Sequence, residues 1–421
     1  MPPRRLILGL ATLSGTLLSG SALAAPDGDW RTYGHDKGGQ RHSPLQQITP
    51  ANVAKLKPAW VYHMKPETPP VAAPADANVE AQRVAEGVGG APAISPAARR
   101  SRFAGSQVTP LVVDGRMFVT TPYGRVAALD PATGKELWVT AIPGPGQPSL
   151  RGVEYWPGDS KLPPRIVFGT RDGRLIALDA ATGGYAAGFG TGGVVDMKTP
   201  EVMQGAEARF YGMTSPPIIH GDLVITGSAV QEFPPQGAAG DVRAWDVRTG
   251  KLVWTFHSVP RKGERGYDTW QTGSAERRSG VNAWGFLTVD QARGIVYMPF
   301  GAPAFDRYGG DRKGDNLYGT SLVAADARTG KYLWHFQVVH HDIWDNDLQA
   351  PPLLFDWKGK NGRKRPAVAI VSKNGLLFVL DRVTGKPLLP VAEKPFPASN
   401  VPGEQASVSY THLTLPTKRI V

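Results

Sequence analysis

Short apolar stretches alternate with polar turns along most of this chain. Within stretches of four to eight residues, apolar and polar residues alternate, which is typical of half-buried β-strands. Helical periodicity is nearly absent. The pattern predicts an all-β protein with strands at residues 109–120, 125–130, 165–169, 217–226, 294–299, 367–372 and 376–381.

One phrase recurs between neighbouring strands, with an apolar residue, Asp, two variable residues, Thr and Gly in fixed order. Its five copies lie at residues 128–138, 177–184, 244–254, 324–334 and 379–387, and in three of them Trp stands four residues after Gly. Glycine can supply the positive φ of a tight turn, so each copy predicts strand, turn and strand. A unit repeated at roughly 50–80 residues favours radially arranged sheets, and we therefore predict a β-propeller.

Residues 1–25 have the features of a secretory signal peptide. Two arginines precede an apolar run, and Ala22-Leu23-Ala24 offers a small-residue cleavage site. The run is too short to be a membrane span. We therefore expect export to the periplasm and no membrane span in the mature chain. The sequence has no cysteine, so no disulfide is expected there.

The net charge of +11 does not indicate a nucleic-acid partner. Two arginines belong to the signal peptide, and most of the other basic residues are scattered, many of them in turns after Thr-Gly. The one dense basic cluster, residues 358–365, is interpreted as a solvated loop. We predict no binding to nucleic acid.

The densest group of chemically active side chains is V-V-H-H-D-I-W-D-N-D at residues 338–347. Carboxylates and imidazoles in such number are costly to bury unless they meet a metal, each other or a substrate. An acidic surface turn is the alternative, although it would explain only one or two of the acids. A zinc site is disfavoured because adjacent histidines point apart on a strand.

The longer stretch T-G-K-Y-L-W-H-F-Q-V-V-H-H-D-I-W-D closely resembles the pyrroloquinoline-quinone (PQQ) dehydrogenases, which are eight-bladed propellers. D-W-R-T-Y-G and V-T-P-L-V-V-D-G-R-M-F-V-T are also typical of this family, and the likeness covers about residues 29–405. The double histidine is most similar to the membrane-type glucose dehydrogenase branch, here without its N-terminal membrane helices. The resemblance implies an incomplete propeller of five to six blades over residues 26–406, in a C-terminally truncated chain.

The resemblance also implies the catalytic residues. Asp345 matches the catalytic base, which takes a hydroxyl proton while hydride leaves the same carbon for the quinone. Lys373, in V-S-K-N-G, matches the cation beside the quinone oxygens, where it would stabilise the charge of the reduced cofactor. An exposed turn lysine is the alternative for Lys373.

Further matches concern cofactor binding. Trp284 corresponds to the tryptophan on which the flat quinone stacks, although most propeller tryptophans are packing residues. Arg151 corresponds to an arginine that binds a cofactor carboxylate, a task that suits its forked donors. Thr214 matches a hydroxyl donor to the cofactor. Gln107 stands where relatives carry Glu, which weakens that assignment.

The likeness implies a metal ion as well. Glu232 falls where alcohol-oxidising relatives place a metal-binding Glu, whereas their metal-binding Asn would fall near Ala302, which cannot ligate. Asp345 and Asp347 would supply further oxygens to a hard cation. An Asp at position 347 marks a lanthanide site in some relatives and also occurs in glucose-type sequences. We therefore predict calcium, with a lanthanide as the alternative.

The predicted function is oxidation of a sugar or polyol hydroxyl, with PQQ as hydride acceptor and a quinone or similar electron acceptor. The absence of the paired active-site cysteines of many alcohol-oxidising relatives favours the sugar branch. An alcohol or quinate-type substrate is the alternative. A non-enzymatic scaffold, such as the assembly lipoproteins that share the propeller repeat, is disfavoured because those proteins need a lipidated cysteine.

Residues 407–421 differ from everything before them. They contain neither the Asp-x-x-Thr-Gly turn nor the alternation of a blade strand. We interpret them as a non-native tail, with a short natural tail as the alternative. The tail is expected to be extended or disordered and to pack against no consistent neighbour.

Overall fold

The computed structural model describes residues 28–66, 104–359, 362–395, 397–406 and 410–413. The predicted signal peptide lies outside these residues. The structure is built of antiparallel sheets with almost no helix, which confirms the predicted all-β propeller class. Among the described residues no helix has the length and apolar character needed to cross a membrane.

Five consecutive sheets, here called blades 1 to 5, carry the fold. Blade 1 contains β1 (Leu111–Val113), β2 (Arg116–Thr121), β3 (Arg125–Leu129) and β4 (Glu136–Ala141). Blade 2 contains β5 (Glu154–Trp156), β6 (Arg165–Gly169), β7 (Arg174–Asp179) and β8 (Val194–Asp196). Blade 3 contains β10 (Ile218–His220), β11 (Leu223–Thr226), β13 (Val242–Asp246) and β14 (Leu252–Phe256), and the short β9 (Tyr211–Gly212) and β12 (Ala229–Val230) pair beside it.

Blade 4 contains β15 (Thr288–Asp290), β16 (Ile295–Pro299), β17 (Ser321–Asp326) and β18 (Tyr332–Gln337). Blade 5 has three strands, β19 (Leu353–Lys358), β20 (Lys364–Val371) and β21 (Leu377–Asp381). Within the described residues the helical elements are one short α-helix, Pro200–Met203, and the 3₁₀ turns Val53–Lys55, Ala208–Phe210, Tyr267–Thr269 and Gln271–Gly273. Each predicted strand is present, although residues 109–120 and 217–226 form hairpins rather than single strands.

The repeated phrase forms the turn that follows the third strand of each blade. In each copy the Asp Oδ1 accepts the N–H groups two and three residues further on, as at Asp130 and Asp326. The glycine has φ between +70° and +74° in all five copies, a conformation that other residues rarely adopt. The turn is therefore defined by local chemistry, which is why the sequence predicted it.

The tryptophan of the repeat packs across the boundary between two blades. Trp138, at the outer strand of blade 1, covers Gly183 in the turn of blade 2, and a Cβ at Gly183 would lie 2.5 Å from the ring. Its indole nitrogen donates to the carbonyl of Ala180 at 3.2 Å. Equivalent contacts join Trp60 to Gly134, Trp254 to Gly330 and Trp334 to Gly385. A tryptophan therefore joins blade 1 to blade 2, blade 3 to blade 4 and blade 4 to blade 5, and Trp60 joins the N-terminal segment to blade 1. Between blades 2 and 3 the side chain of Val195 meets Gly250 instead.

The N-terminal segment, residues 30–39, lies along the innermost strands. Trp30 pairs with Val112 in blade 1, and the carbonyls of Lys37 and Gly38 accept N–H groups from β15 and β19. The Lys37 ammonium forms an ion pair with Glu154 of β5, whose side chain is 1% exposed. The segment thus ties blades 1, 2, 4 and 5 together from the inside.

Near the C-terminus one expectation was wrong. Tyr410–Leu413 forms a strand, β23, that pairs antiparallel with β22 (Val391–Lys394). Backbone hydrogen bonds can pair strands without the apolar alternation on which our prediction rested. This part of the tail therefore has a defined neighbour, and whether residues 407–421 are native stays a prediction.

Candidate active site

The chain topology brings the predicted site residues to one end of the blades. The repeat turns follow the third strands at one end, here called the repeat end. Because neighbouring strands are antiparallel, two sets of loops lie at the other end. They are the loops between the second and third strands and the loops that lead into each first strand. The predicted residues all belong to these loops: Gln107, Arg151, Thr214, Glu232, Trp284, Asp345, Asp347 and Lys373.

The predicted base and the predicted cation are in contact. The Lys373 ammonium, in the turn between β20 and β21, lies 2.5 Å from Asp345 Oδ2 and 3.5 Å from Asp347 Oδ2. Burial opposes the charge of this ammonium, but its contacts with the two carboxylates raise the pKa of Lys373 overall. The lysine therefore remains a cation beside Asp345.

The other polar residues of the 338–347 stretch fold the loop itself. His341 Nδ1 lies 2.8 Å from the Gly314 carbonyl, and burial lowers the pKa of this imidazole. Asp342 accepts the Thr320 hydroxyl at 2.8 Å and the Asn346 N–H at 2.7 Å. Hydrogen bonds within the loop and to neighbouring loops thus offset much of the cost of burying these polar side chains.

Asp347 is buried beside the ion pair, with 8% of its surface exposed. Its Oδ1 accepts the N–H of Ala302 at 2.7 Å, and its Oδ2 accepts the indole N–H of Trp284 at 3.1 Å. Burial and the charge of Asp345 raise the pKa of Asp347 to about 7.

Trp284, Arg151 and Thr214 form a second group that is joined to the first through Asp347. The Arg151 guanidinium lies 5.4 Å from the Trp284 ring centroid and donates to Ser215 Oγ at 3.2 Å. The hydroxyls of Thr214 and Ser215 donate to the Trp284 carbonyl at 3.2 and 2.7 Å. An aromatic face, a guanidinium and two hydroxyls therefore lie together; the cofactor-binding roles that the resemblance implies for Trp284, Arg151 and Thr214 stay predictions.

Gln107 and Glu232 lie at the same end of the blades. Gln107 is exposed, two residues before Thr109, whose N–H donates to the Arg151 carbonyl at 3.4 Å. Glu232 is half-buried and follows β12 in blade 3. The roles assigned to these two residues stay predictions.

Asp306 is a further acidic residue near this group that the sequence reasoning missed. It is 4% exposed, and its Oδ1 is buried without a hydrogen-bond partner. Burial and the negative charge of Asp345 raise the pKa of Asp306. The buried guanidinium of Arg278 donates to Ala304 and Asp311 and so fixes the loop that carries it. A single aspartate four residues after Ala302 gave no recognisable motif, so only its position close to F-G-A-P could have drawn attention to it.

Comparison with known proteins settles the family. The family model described as "PQQ: Glucose/ethanol/alcohol dehydrogenase, beta-propeller domain" matches residues 30–418. The chain belongs to this family.

Its curated relatives are quinoprotein dehydrogenases. The chain is 34% identical to the quinate/shikimate dehydrogenase (quinone) of Acinetobacter baylyi, over 90% of this chain and 46% of that protein. It is 35% identical to the glycerol dehydrogenase large subunit of Gluconobacter oxydans, over 90% of this chain and 48% of that protein. It is 33% identical to the quinoprotein glucose dehydrogenase A of Acinetobacter calcoaceticus, over 93% and 47%. The chain therefore spans about half the length of the curated relatives it matches.

Solved structures agree on the fold. The quinohemoprotein alcohol dehydrogenase from Comamonas testosteroni superimposes with a TM-score of 0.67 at 29% identity, over 90% of this chain and 52% of that one. A europium-containing methanol dehydrogenase gives 0.65 at 24% identity, over 87% and 59%, and supports the fold alone.

The residues present fit the cofactor of a PQQ dehydrogenase. PQQ is flat and carries three carboxylates, and the site offers the Trp284 face, the Arg151 guanidinium and the Lys373 ammonium. A hard cation needs oxygen ligands, and the buried unpartnered Oδ1 of Asp306 and the carboxylate of Asp345 are of that kind. In the described part of the chain, however, no three His, Cys, Asp or Glu side chains group closely enough to hold a metal ion. The metal ligands Glu232, Asp345 and Asp347 stay a prediction.

Proposed function

We propose that this chain binds PQQ and oxidises a hydroxyl group of a sugar or polyol in the periplasm, with electrons passed on to a quinone or similar acceptor. The observation that carries the proposal is the contact between Asp345 and Lys373, linked through Asp347 to the group of Trp284 and Arg151. A scaffold would have no use for a carboxylate and an ammonium held this way beside an aromatic face.

In the proposed reaction, the substrate CH–OH group loses a proton and a hydride and becomes a carbonyl. Asp345 accepts the hydroxyl proton at its carboxylate, and PQQ supplies the acceptor for the hydride. Lys373 provides a fixed positive charge where negative charge develops on the acceptor. Lys373 contacts only Oδ2 of Asp345, and 29% of the aspartate side chain is exposed, so the second carboxylate oxygen can accept from a substrate hydroxyl.

The remaining residues bind and orient. Trp284 offers its ring as a stacking surface, Arg151 pairs with a cofactor carboxylate, and Thr214 and Gln107 contribute polar contacts. We propose calcium as the cation, with oxygen ligands from Glu232 and Asp345 and from the cofactor, and a lanthanide as the alternative.

One alternative to a sugar or polyol substrate remains. The glycerol, glucose and quinate dehydrogenases among the relatives are 33–35% identical to this chain, so identity alone does not separate a sugar or polyol from a quinate-type substrate. An alcohol or quinate-type substrate is therefore the second candidate.

The test uses the whole 421-residue chain, loaded with PQQ in calcium-containing buffer. Cofactor binding is measured by quenching of tryptophan fluorescence, and turnover by dye reduction with glucose, glycerol, quinate and ethanol. Asp345→Asn should lower the turnover rate about 10²–10⁴-fold, the usual loss for a well-placed general base, while PQQ still binds. Unchanged turnover in this variant would remove Asp345 as the base, and failure of the parent chain to bind PQQ would refute the proposed function.

A further inference from the structure

Asp347 connects three loops that come from distant parts of the chain. Its Oδ2 accepts the indole N–H of Trp284, and its Oδ1 accepts the backbone N–H of Ala302. Lys373 approaches it twice, with its ammonium 3.5 Å from Oδ2 and its backbone N–H 3.2 Å from the Asp347 carbonyl. No other predicted site residue is described in contact with both Trp284 and Lys373.

We propose that Asp347 is a positioning residue, which holds the Trp284 ring and the Lys373 ammonium in a fixed relation, rather than a metal ligand. The inference rests on the proposed function in one respect, since the purpose of that relation is to receive the cofactor. The hydrogen bonds themselves belong to the chain without it.

The surroundings of the carboxylate favour hydrogen bonding over metal binding. Each oxygen already accepts an N–H donor, and the side chain is 8% exposed. The backbone at Gly301 approaches so closely that a Cβ there would lie 2.5 Å from Asp347 Oδ1. A cation would have to use the lone pairs that these two donors leave, on a side chain that is almost enclosed. Asp345 keeps 29% of its side chain exposed and is the more accessible oxygen donor.

The same contacts fix the orientation of the indole ring. The Trp284 carbonyl is held by the hydroxyls of Thr214 and Ser215, and its indole nitrogen is held by Asp347. The residue is therefore fixed at both its backbone and its ring. Without Asp347 the ring would keep the nearby Arg151 guanidinium but lose the hydrogen bond to its nitrogen, and it could rotate more freely about its side-chain torsions.

The experiment follows the Trp284 ring directly. The whole chain is labelled with 5-fluorotryptophan, and Trp284→Phe identifies the ¹⁹F resonance of residue 284 among the 11 tryptophans. Asp347→Asn has nearly the same shape but loses the negative charge and one acceptor. Asp315→Asn is the matched control, because it removes an exposed carboxylate from a neighbouring loop. Circular dichroism verifies that each variant folds, and Asp347→Ser serves if the asparagine variant does not.

Asp347→Asn should shift or broaden the Trp284 resonance, whereas Asp315→Asn should leave it unchanged. PQQ affinity should fall about tenfold, equivalent to about 1.4 kcal/mol, and the loss should be much smaller in a Trp284→Phe background. Terbium affinity, measured by sensitised luminescence, should change less than about twofold.

Two results would overturn the proposal. An unchanged Trp284 resonance in Asp347→Asn would show that the ring does not depend on this carboxylate. A loss of terbium affinity that persists in the Trp284→Phe background would assign Asp347 to a cation instead. Because the ¹⁹F measurement needs no cofactor, it remains decisive even if the parent chain fails to bind PQQ.

Discussion

Replacing Gly183 with alanine tests how the blades are held together. Gly183 has φ +74°, and an added Cβ would lie 2.5 Å from Trp138 Cε3 and 2.7 Å from Thr140 Oγ1. The left-handed backbone alone costs an alanine about 1–2 kcal/mol. Crowding of a packed contact adds about 1–3 kcal/mol. We therefore expect Gly183→Ala to lower the free energy of unfolding by about 2–5 kcal/mol.

A second glycine in the same blade separates the two contributions. Gly188 has φ +75°, yet nothing lies within 4 Å of the Cβ that alanine would add there. Gly188→Ala should therefore lose only the backbone contribution of about 1–2 kcal/mol. Urea unfolding of both variants, followed by tryptophan fluorescence and circular dichroism, gives the difference that belongs to crowding against Trp138 and Thr140.

A third variant tests the cause. With Trp138→Ala present, adding Gly183→Ala should cost less than it does in the parent chain, because the ring that meets the new Cβ is gone and only Thr140 Oγ1 remains close to it. If the two glycine variants are destabilised equally in the parent chain, the tryptophan contact is not what restricts position 183. The proposed role of the repeat tryptophans would then be refuted.

Two further perturbations test the interior. Lys37→Met should destabilise the fold by about 3–5 kcal/mol in urea unfolding, because it leaves the buried Glu154 carboxylate without its ion pair, and adding Glu154→Gln should recover part of this loss. Asp306→Asn should raise the melting temperature at pH 7, because a carboxyl whose pKa is raised in the fold loses stability as pH rises above its unfolded value of about 3.9. That gain should shrink as pH falls through and below the unfolded value of about 3.9, because Asp306 then becomes protonated in both states. A gain independent of pH would contradict the assignment.

The strands and turns of this protein could be predicted because their causes are local. Asp130 accepts hydrogen bonds from residues two and three positions away, and Gly134 supplies the positive φ four residues on, so the motif and the turn coincide in sequence. The role of Trp138 was not predictable in the same way. It contacts the turn of the next blade, more than forty residues away, and only the folded chain reveals that partner.

The site residues also differ in whether the sequence could predict them. Resemblance to a family identified Asp345 and Lys373, which the structure brings into contact. The hydrogen bonds of Asp347 involve Ala302 and Trp284, 45 and 63 residues away, and no spacing rule predicts them. Asp306 was missed for a related reason, since burial beside Asp345 is a property of the fold and not of its neighbours in sequence.

The repeat turns and the loops around Asp345 differ in which residues adopt left-handed backbone. At the repeat end the left-handed positions of the five turns are filled by glycine, for which this conformation carries little strain. At the other end Thr320, His341 and Asp345 adopt φ between +47° and +55° without being glycine. Such residues cost of order 1–3 kcal/mol each and persist only where their surroundings fix them. Here the hydrogen bonds of His341 and Asp342 fix the strained loop that presents Asp345 to Lys373.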